Sequence, residues 1–236
     1  MKLSIIIPAY NEAETIAQVL NKVLDQNFDG WEKEIIVVDD CSRDATPEKI
    51  KPFLGRIKYL RHDANQGKGA AVKTGLAAMA GDAVIVQDAD LEYDPADIKN
   101  LLDVLGDRAN LIVYGSRNLR PERRGYSHYV IGSKLLDGLV NLFFSTKLTD
   151  VYTCYKLFPA EIIKKINPVR NGVSNGAGIE SKGFELEMEL TVKTLKMGYK
   201  ITEVPIHYYP RKFNEGKKIR AIDGIKGIIT LLRYRF

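Results

Sequence analysis

The sequence predicts an α/β fold: a mainly parallel central sheet flanked by helices, followed by a C-terminal amphipathic helix. Three observations predict it. Short β-branched runs, apolar enough to be buried on both faces, alternate with stretches of helical spacing, as successive βα units do. Polar residues gather just past those runs, where open α/β sheets bind ligands. The 236 residues, 45% of them apolar, suffice for one substantial core. With no internal repeat, low-complexity tract or long linker, residues 1–236 read as a single domain.

Leu3 to Ile7 is a continuous apolar run closed by Pro8 and predicts the first strand. From Glu12 to Leu24, Ile16, Val19, Leu20 and Val23 recur at helical spacing. Glu34 to Val38 predicts a strand ending at Asp39 and Asp40, and Ile57 to Leu60 a short one. Ala70 to Met79 predicts a helix and Ala83 to Val86 a strand ending at Asp88. Pro95, with Asp94 as cap, opens another helix, and Leu111 to Tyr114 is a strand followed by Arg117. Four strand ends therefore line one crevice: Tyr10, Asn11 and Glu12; Asp39 and Asp40; Asp88 and Asp90; and Arg117.

Beyond residue 120 the segments become basic and aromatic. Tyr129 to Phe144 and Phe184 to Met197 read as helices, Asn171 to Gly183 as a flexible glycine-rich loop, and Ile201 to Ile206 as a strand. Tyr208 to Lys218 is a basic connection. From Ile219 to Phe236, Ile219, Ile222, Ile225, Ile228, Ile229 and Leu232 follow three- and four-residue steps, with Arg220, Asp223, Lys226 and Arg233 mostly off that stripe.

Charge is unevenly spread. Residues 1–110 carry 13 basic and 19 acidic side chains (net −6) and residues 111–236 carry 22 and 11 (net +11). A basic half points to an anionic partner: phosphate groups, an anionic lipid surface or nucleic acid. No nucleic-acid module is recognised, and basic residues beside apolar stretches suit a membrane surface better. Cys41 and Cys154 lack the spacing of a disulfide framework or zinc ribbon, so a reducing compartment is expected. The N-terminal run meets Pro8, Asn11 and Glu12 too soon for a signal peptide. Leu139 to Phe144 and Ile225 to Leu232 fall far short of the ~20 residues that cross a bilayer. A cytoplasmic, non-spanning protein is expected.

The sharpest local feature is Gln87-Asp88-Ala89-Asp90-Leu91-Glu92, with acids at alternate positions just past a strand. Carboxylates so spaced can face one point, where a hard divalent cation, Mg²⁺ or Mn²⁺, relieves their repulsion. A solvated acidic turn leading into the helix after Pro95 has the same pattern, so the run alone does not decide. Gly67-Lys68-Gly69 lacks the Ser or Thr and the glycine spacing of a P-loop, and His62, His128 and His207 are too scattered for zinc.

Other segments do decide. Ile5 to Glu12 and Val37 to Thr46 resemble the first two signatures of family-2 glycosyltransferases. Asn65-Gln66-Gly67-Lys68-Gly69-Ala70-Ala71 resembles that family's loop and helix start, Asp88-Ala89-Asp90 its metal motif, and Gly115-Ser116-Arg117 its next strand end. In the second half, Leu148-Thr149-Asp150, Thr153-Cys154-Tyr155-Lys156, Gly183 to Glu187, Glu203 to Ile206 and Arg211 to Lys218 resemble the dolichyl-phosphate mannose and glucose synthase branch. The departures are Cys154-Tyr155 where many relatives have Gly-Phe, one extra residue before Lys218, and the long loop from Asn171 to Ser181.

The resemblance implies a GT-A (Rossmann-like) fold, with residues 1–117 as the nucleotide-sugar half and 118–236 as the acceptor and membrane-facing half. It places Pro8, Tyr10, Glu12, Val38 and Asp40 in a nucleoside pocket, with Asp39 as a structural alternative. Asp88 and Asp90, through Asp88-Ala89-Asp90, with Glu92 as a further ligand, would hold Mg²⁺ or Mn²⁺ on the donor phosphates. Arg117, Arg211, Lys217 and Lys218 would contact phosphates. The implied reaction is inverting, metal-dependent transfer of a hexose from GDP-mannose or UDP-glucose to polyprenyl or dolichyl phosphate.

A lipid phosphomonoester, with a second pKa of about 6, is a competent nucleophile without a base. Positive charge must hold it, and Arg117, Arg123, Arg124, Lys134 and Arg211 are candidates. On this reading Asp90, Arg117 and Arg211 carry the catalysis, and Asp150 orients Lys156 or Arg211. If the acceptor is instead a saccharide or protein hydroxyl, Asp150, Glu185 or Glu187 becomes a required base. A third reading is a non-catalytic nucleotide-sugar-binding protein. The terminal helix is either the last core helix or an interfacial one, with Arg233, Tyr234, Arg235 and Phe236 near headgroups. The second option makes the protein peripheral at the cytoplasmic face of a membrane, with a membrane protein as a possible partner.

Overall fold

The computed structural model describes residues 1–120, 127–170, 173–174, 178–211 and 221–236. Strand β1 (Lys2–Ala9), all apolar at its centre, leads to helix α1 (Ile16–Asp25). Then follow β2 (Glu32–Asp39), the short α2 (Thr46–Ile50), β3 (Lys58–Arg61), α3 (Lys68–Ala78), β4 (Ala83–Val86) and α4 (Ile98–Leu105). The second half contains β5 (Leu111–Ser116), α5 (Ser127–Phe144), β6 (Lys156–Pro159), α6 (Ala160–Ile166), the hairpin strands β7 (Val169–Arg170) and β8 (Val173–Ser174), α7 (Leu186–Lys196), β9 (Lys200–Pro205) and α8 (Ala221–Arg235).

Seven strands form one sheet in the order β3-β2-β1-β4-β6-β5-β9. All pairings are parallel except the two made by β6. The chain fills the β2 and β3 side first and then returns to place β4 on the other side of β1. A switch point therefore lies at the carboxyl ends of β1 and β4, where this architecture binds ligands. Reversal of β6 has a consequence for the site: its amino end, preceded by Asp150 to Tyr155, emerges beside the carboxyl ends of its neighbours.

The sequence reading lacks β6, α6, α2 and the β7–β8 hairpin. The charged Lys156 opens β6 and disguises a strand whose four residues are all buried. Strand β8 falls within the expected loop and β7 just before it, and residues 171–172 and 175–177 lie outside the described residues. Helix α1 begins at Ile16 rather than Glu12, because the Glu12 carbonyl accepts the Thr15 and Ile16 amides at 3.1 and 2.9 Å after Asn11 takes a left-handed φ of 50°. That turn holds Tyr10 to Glu12 over the crevice.

The main core joins the sheet to its helices through Ile5, Ile7, Val37, Ile85, Val113 and Leu157. A second cluster joins α5, α7 and α8 through Leu136, Val140, Met188, Val192 and Leu231. Helix α8 is both a core helix and an exposed apolar one. It turns Asp223, Gly227, Thr230 and Leu231 inward, with Gly227 against the Tyr152 hydroxyl. The predicted stripe splits, since Ile228 joins the core side while Ile222, Ile225, Ile229, Leu232 and Phe236 face outward at 43–86% exposure. Leu135 and Leu142 on neighbouring α5 are also exposed. Among the described residues no helix is long and apolar enough to cross a membrane.

Candidate active site

At the end of β2 two adjacent carboxylates do structural work. Asp39, fully buried, accepts the Ser42 amide at 2.8 Å and the Tyr59 hydroxyl at 3.0 Å. Asp40 accepts the Gln66 and Gly67 amides at 2.9 and 2.7 Å and contacts His62 Nδ1 at 2.7 Å. Both Asp40 oxygens are thus engaged, and the residue anchors the loop that starts α3 beside the expected nucleoside pocket. That loop needs its glycines: Gly67 has a φ of 93°, and a Cβ on Gly67 or Gly69 would strike the Lys182 or Ser181 carbonyl oxygen. Pro8 and Tyr10 are half-buried at the rim, whereas Val38 is fully buried with Ile36 and Ala71 and can offer a ligand only its backbone.

The metal-motif acids meet protein cations. Lys68 Nζ lies 2.7 Å from Asp88 and 3.3 Å from Glu187, and Lys156 lies 3.1 Å from the other Glu187 oxygen. The Arg211 guanidinium donates to Glu12 at 2.9 Å and lies 3.8 Å from Asp90. Burial, aided by the charges of Asp88 and Glu92, pushes the Asp90 carboxyl up to about 7 even with Arg211 beside it. Asp88 and Asp90, with Glu12 on the same Arg211, supply the hard oxygen donors that suit a divalent cation. Ala89 is buried, and its carbonyl accepts the Thr15 hydroxyl at 2.9 Å. Glu92 faces elsewhere: its carboxylate accepts the Tyr208 hydroxyl at 3.1 Å and the Arg211 amide at 2.7 Å. Among the described residues no group of three or more His, Cys, Asp or Glu side chains is arranged to hold a metal.

Opposite stands Arg117. Its Nε and Nη2 donate to the two oxygens of Asp150 at 2.7 and 2.6 Å, and its amide donates to the same carboxylate at 2.9 Å. The expectation that Asp150 orients Lys156 or Arg211 is corrected: Arg117 takes both of its oxygens, while Lys156 turns to Glu187 and the carbonyls of Val151 and Thr153. Asp150 is fully buried and its backbone is fixed from below. Glu203 accepts the amides of Thr149 and Asp150, Asp137 accepts that of Val151 at 2.8 Å, and Asn141 that of Leu148 at 2.8 Å. Tyr208 lies under the Arg117 guanidinium, 5.0 Å from ring centroid to carbon.

Lys134 is exposed on α5, and Lys217, Lys218, Arg123 and Arg124 lie outside the described residues. The sequence reading misses Lys68, Tyr208, Glu203 and Asp137 as site residues. Lys68 had a usable signal, since a lysine between two glycines past β3 opens its helix toward the same crevice. Glu203 and Asp137 carry none, because their role depends on a loop folded back from β6.

The family described as Glycosyl transferase family 2 matches residues 4–166. The dolichol-phosphate mannosyltransferase of Pyrococcus furiosus is 29% identical over 223 residues, 92% of this chain and 59% of that protein. The undecaprenyl-phosphate mannosyltransferase of Micrococcus luteus is 25% identical over 99% of this chain and 94% of its own length. A Haloferax volcanii glycosyltransferase, AglD, is 26% identical over 95% of this chain, which spans 36% of that protein. The chain thus spans about a third and three fifths of the length of the Haloferax and Pyrococcus relatives. Among solved structures, glucosyl-3-phosphoglycerate synthase of Mycobacterium tuberculosis, crystallised with Mn²⁺, UDP and phosphoglyceric acid, superposes with a TM-score of 0.73 at 19% identity. The match covers 99% of this chain and 78% of that one, and shows the shared fold.

Proposed function

The chain belongs to glycosyl transferase family 2, and from that premise we propose that it is an inverting, metal-dependent hexosyltransferase. It moves mannose or glucose from GDP-mannose or UDP-glucose to a polyprenyl or dolichyl phosphate, the acceptor class in the names of two relatives. One observation carries the acceptor reading: Asp150, the best-placed acid on the Arg117 side, has both oxygens committed to Arg117. Glu187 lies between two lysines. Glu185 accepts the amides of Lys182 and Gly183 on one oxygen, and its other oxygen is buried with no hydrogen-bond partner among the described residues. Asp150 and Glu187, both ion-paired, are poorly poised to deprotonate a hydroxyl. A phosphate dianion attacks the anomeric carbon without that help, and needs cations instead.

Asp88 and Asp90 would hold Mg²⁺ or Mn²⁺, which when bound stabilises charge on the departing nucleoside diphosphate. Pro8, Tyr10, Glu12 and the Val38 backbone frame the nucleoside, with Asp40 shaping the loop beside it. Arg211, with Lys217 and Lys218, serves the donor phosphates, and Arg117 presents its charge to the acceptor phosphate, held in place by Asp150. The outward stripe of α8, flanked by Lys226, Arg233 and Arg235, suits the cytoplasmic face of an anionic membrane, where the acceptor's tail resides.

The test is incubation with Mn²⁺ or Mg²⁺, a panel of UDP- and GDP-sugars and a short polyprenyl phosphate, with products read by mass spectrometry. Glycolipid from one donor supports the proposal. Nucleoside diphosphate release only with free saccharides or peptides moves the acceptor to a hydroxyl. No turnover with any donor revives a non-catalytic role.

A further inference from the structure

Between the metal-motif acids and α8 the chain passes through a strap, His207 to Arg211, laid across the segment that follows β4. Its attachments converge on two acids. Asp97 accepts the His207 amide at 2.6 Å and contacts its Nδ1 at 2.9 Å. The Glu92 carbonyl accepts the Tyr209 amide at 2.8 Å, while its carboxylate takes the Tyr208 hydroxyl on one oxygen and the Arg211 amide on the other. The Glu92 amide in turn donates to Asp90 at 3.1 Å. One residue therefore touches the motif with its backbone and the strap with its side chain. The strap delivers two things to the crevice: the Arg211 guanidinium, on Glu12 and near Asp90, and the Tyr208 ring beneath Arg117.

We propose that Glu92 is a positioning residue that latches the strap and so seats Arg211 and Tyr208, rather than a third metal ligand. Without its carboxylate, the Arg211 amide and the Tyr208 hydroxyl lose their acceptor, and the two cations flanking the crevice lose a common support. The importance of the latch for turnover rests on the proposed function; the latch itself does not.

Amide exchange followed by NMR separates these. In Glu92→Ala the Arg211 amide should exchange about tenfold faster than in the parent, as expected for loss of one hydrogen bond to a carboxylate. The Tyr209 amide, held by the Glu92 backbone, should change much less. Mn²⁺ affinity in the presence of a nucleoside diphosphate should stay within about twofold in Glu92→Gln, which keeps an acceptor oxygen but not a ligand charge. Arg211 protection unchanged in Glu92→Ala overturns the latch, and a Glu92→Gln variant that binds Mn²⁺ about tenfold more weakly overturns the exclusion from the metal. If Arg211 protection is lost as expected while Arg211→Ala keeps full transfer activity, the latch stands and the role given to Arg211 in the reaction fails.

Discussion

At the Asp88 and Asp90 end of the crevice three acids, Asp88, Asp90 and Glu12, meet two cations, and those cations come from elsewhere: Lys68 from the start of α3 and Arg211 from the strap. At the Arg117 end the balance is built in, because Asp150 pairs with one guanidinium through two short contacts while Glu203 and Asp137 accept the amides of its loop. The difference separates two kinds of charge. In the proposed reaction the acids at the strand end receive a metal ion, whereas Arg117, mounted on a buried carboxylate, turns its remaining donors to an anion and leaves that carboxylate a poor base.

The largest effect is expected at Asp90. Asp90→Ala removes a proposed ligand from the acid-rich end and should lower kcat/KM about 10²- to 10³-fold in an Mn²⁺-supported transfer assay; retained activity would show that the acids are only a solvated turn. A smaller effect sharpens the same end. Lys68 occupies Asp88, a proposed metal ligand, so Lys68→Gln should bind Mn²⁺ a few-fold more tightly than the parent without donor, measured by titration with electron paramagnetic resonance. Unchanged or weaker binding would mean that Lys68 does not hold the metal position.

The smallest effect concerns the scaffold under Asp150. Burial pushes the Asp137 carboxyl up from 3.8 to about 7, helped by the nearby charge of Asp150, and one of its oxygens is buried without a hydrogen-bond partner among the described residues. A raised carboxyl pKa means that the folded state holds its proton longer, so the stability it contributes is complete below about pH 4 and drains away as pH rises through about 7. Unfolding free energies from urea titrations should therefore fall between about pH 5 and about pH 8 in the parent and fall less in Asp137→Asn, by a difference of order 1–2 kcal/mol. Equal slopes would remove Asp137 from the account.

Much of the acid-rich end was legible in the sequence, because β-branched runs mark parallel strands and the crevice lies where they stop. Asp39, Asp88, Asp90 and Arg117 stand at strand ends as their positions predict. Partners were not legible. Asp150 reaches Arg117 only because β6 runs backwards, and its buried Lys156 hides that strand from any reading of apolar runs. Nor did spacing reveal the inner face of α8. The most apolar stripe of an amphipathic helix is ordinarily its core side, but here the smaller Gly227 and Thr230 fit against Tyr152 and the second core, and the isoleucines are left outside.

In the proposed reaction the acceptor attacks without a protein base and Asp150 serves by holding Arg117. The most direct measurement is the pH dependence of kcat/KM for a short polyprenyl phosphate in the parent and in Asp150→Asn. The account predicts a slower variant with a raised acceptor KM whose acid limb, near the acceptor's second pKa of about 6, coincides with that of the parent. A variant that loses this limb, so that its rate climbs steadily with hydroxide, would make Asp150 the base and contradict the account.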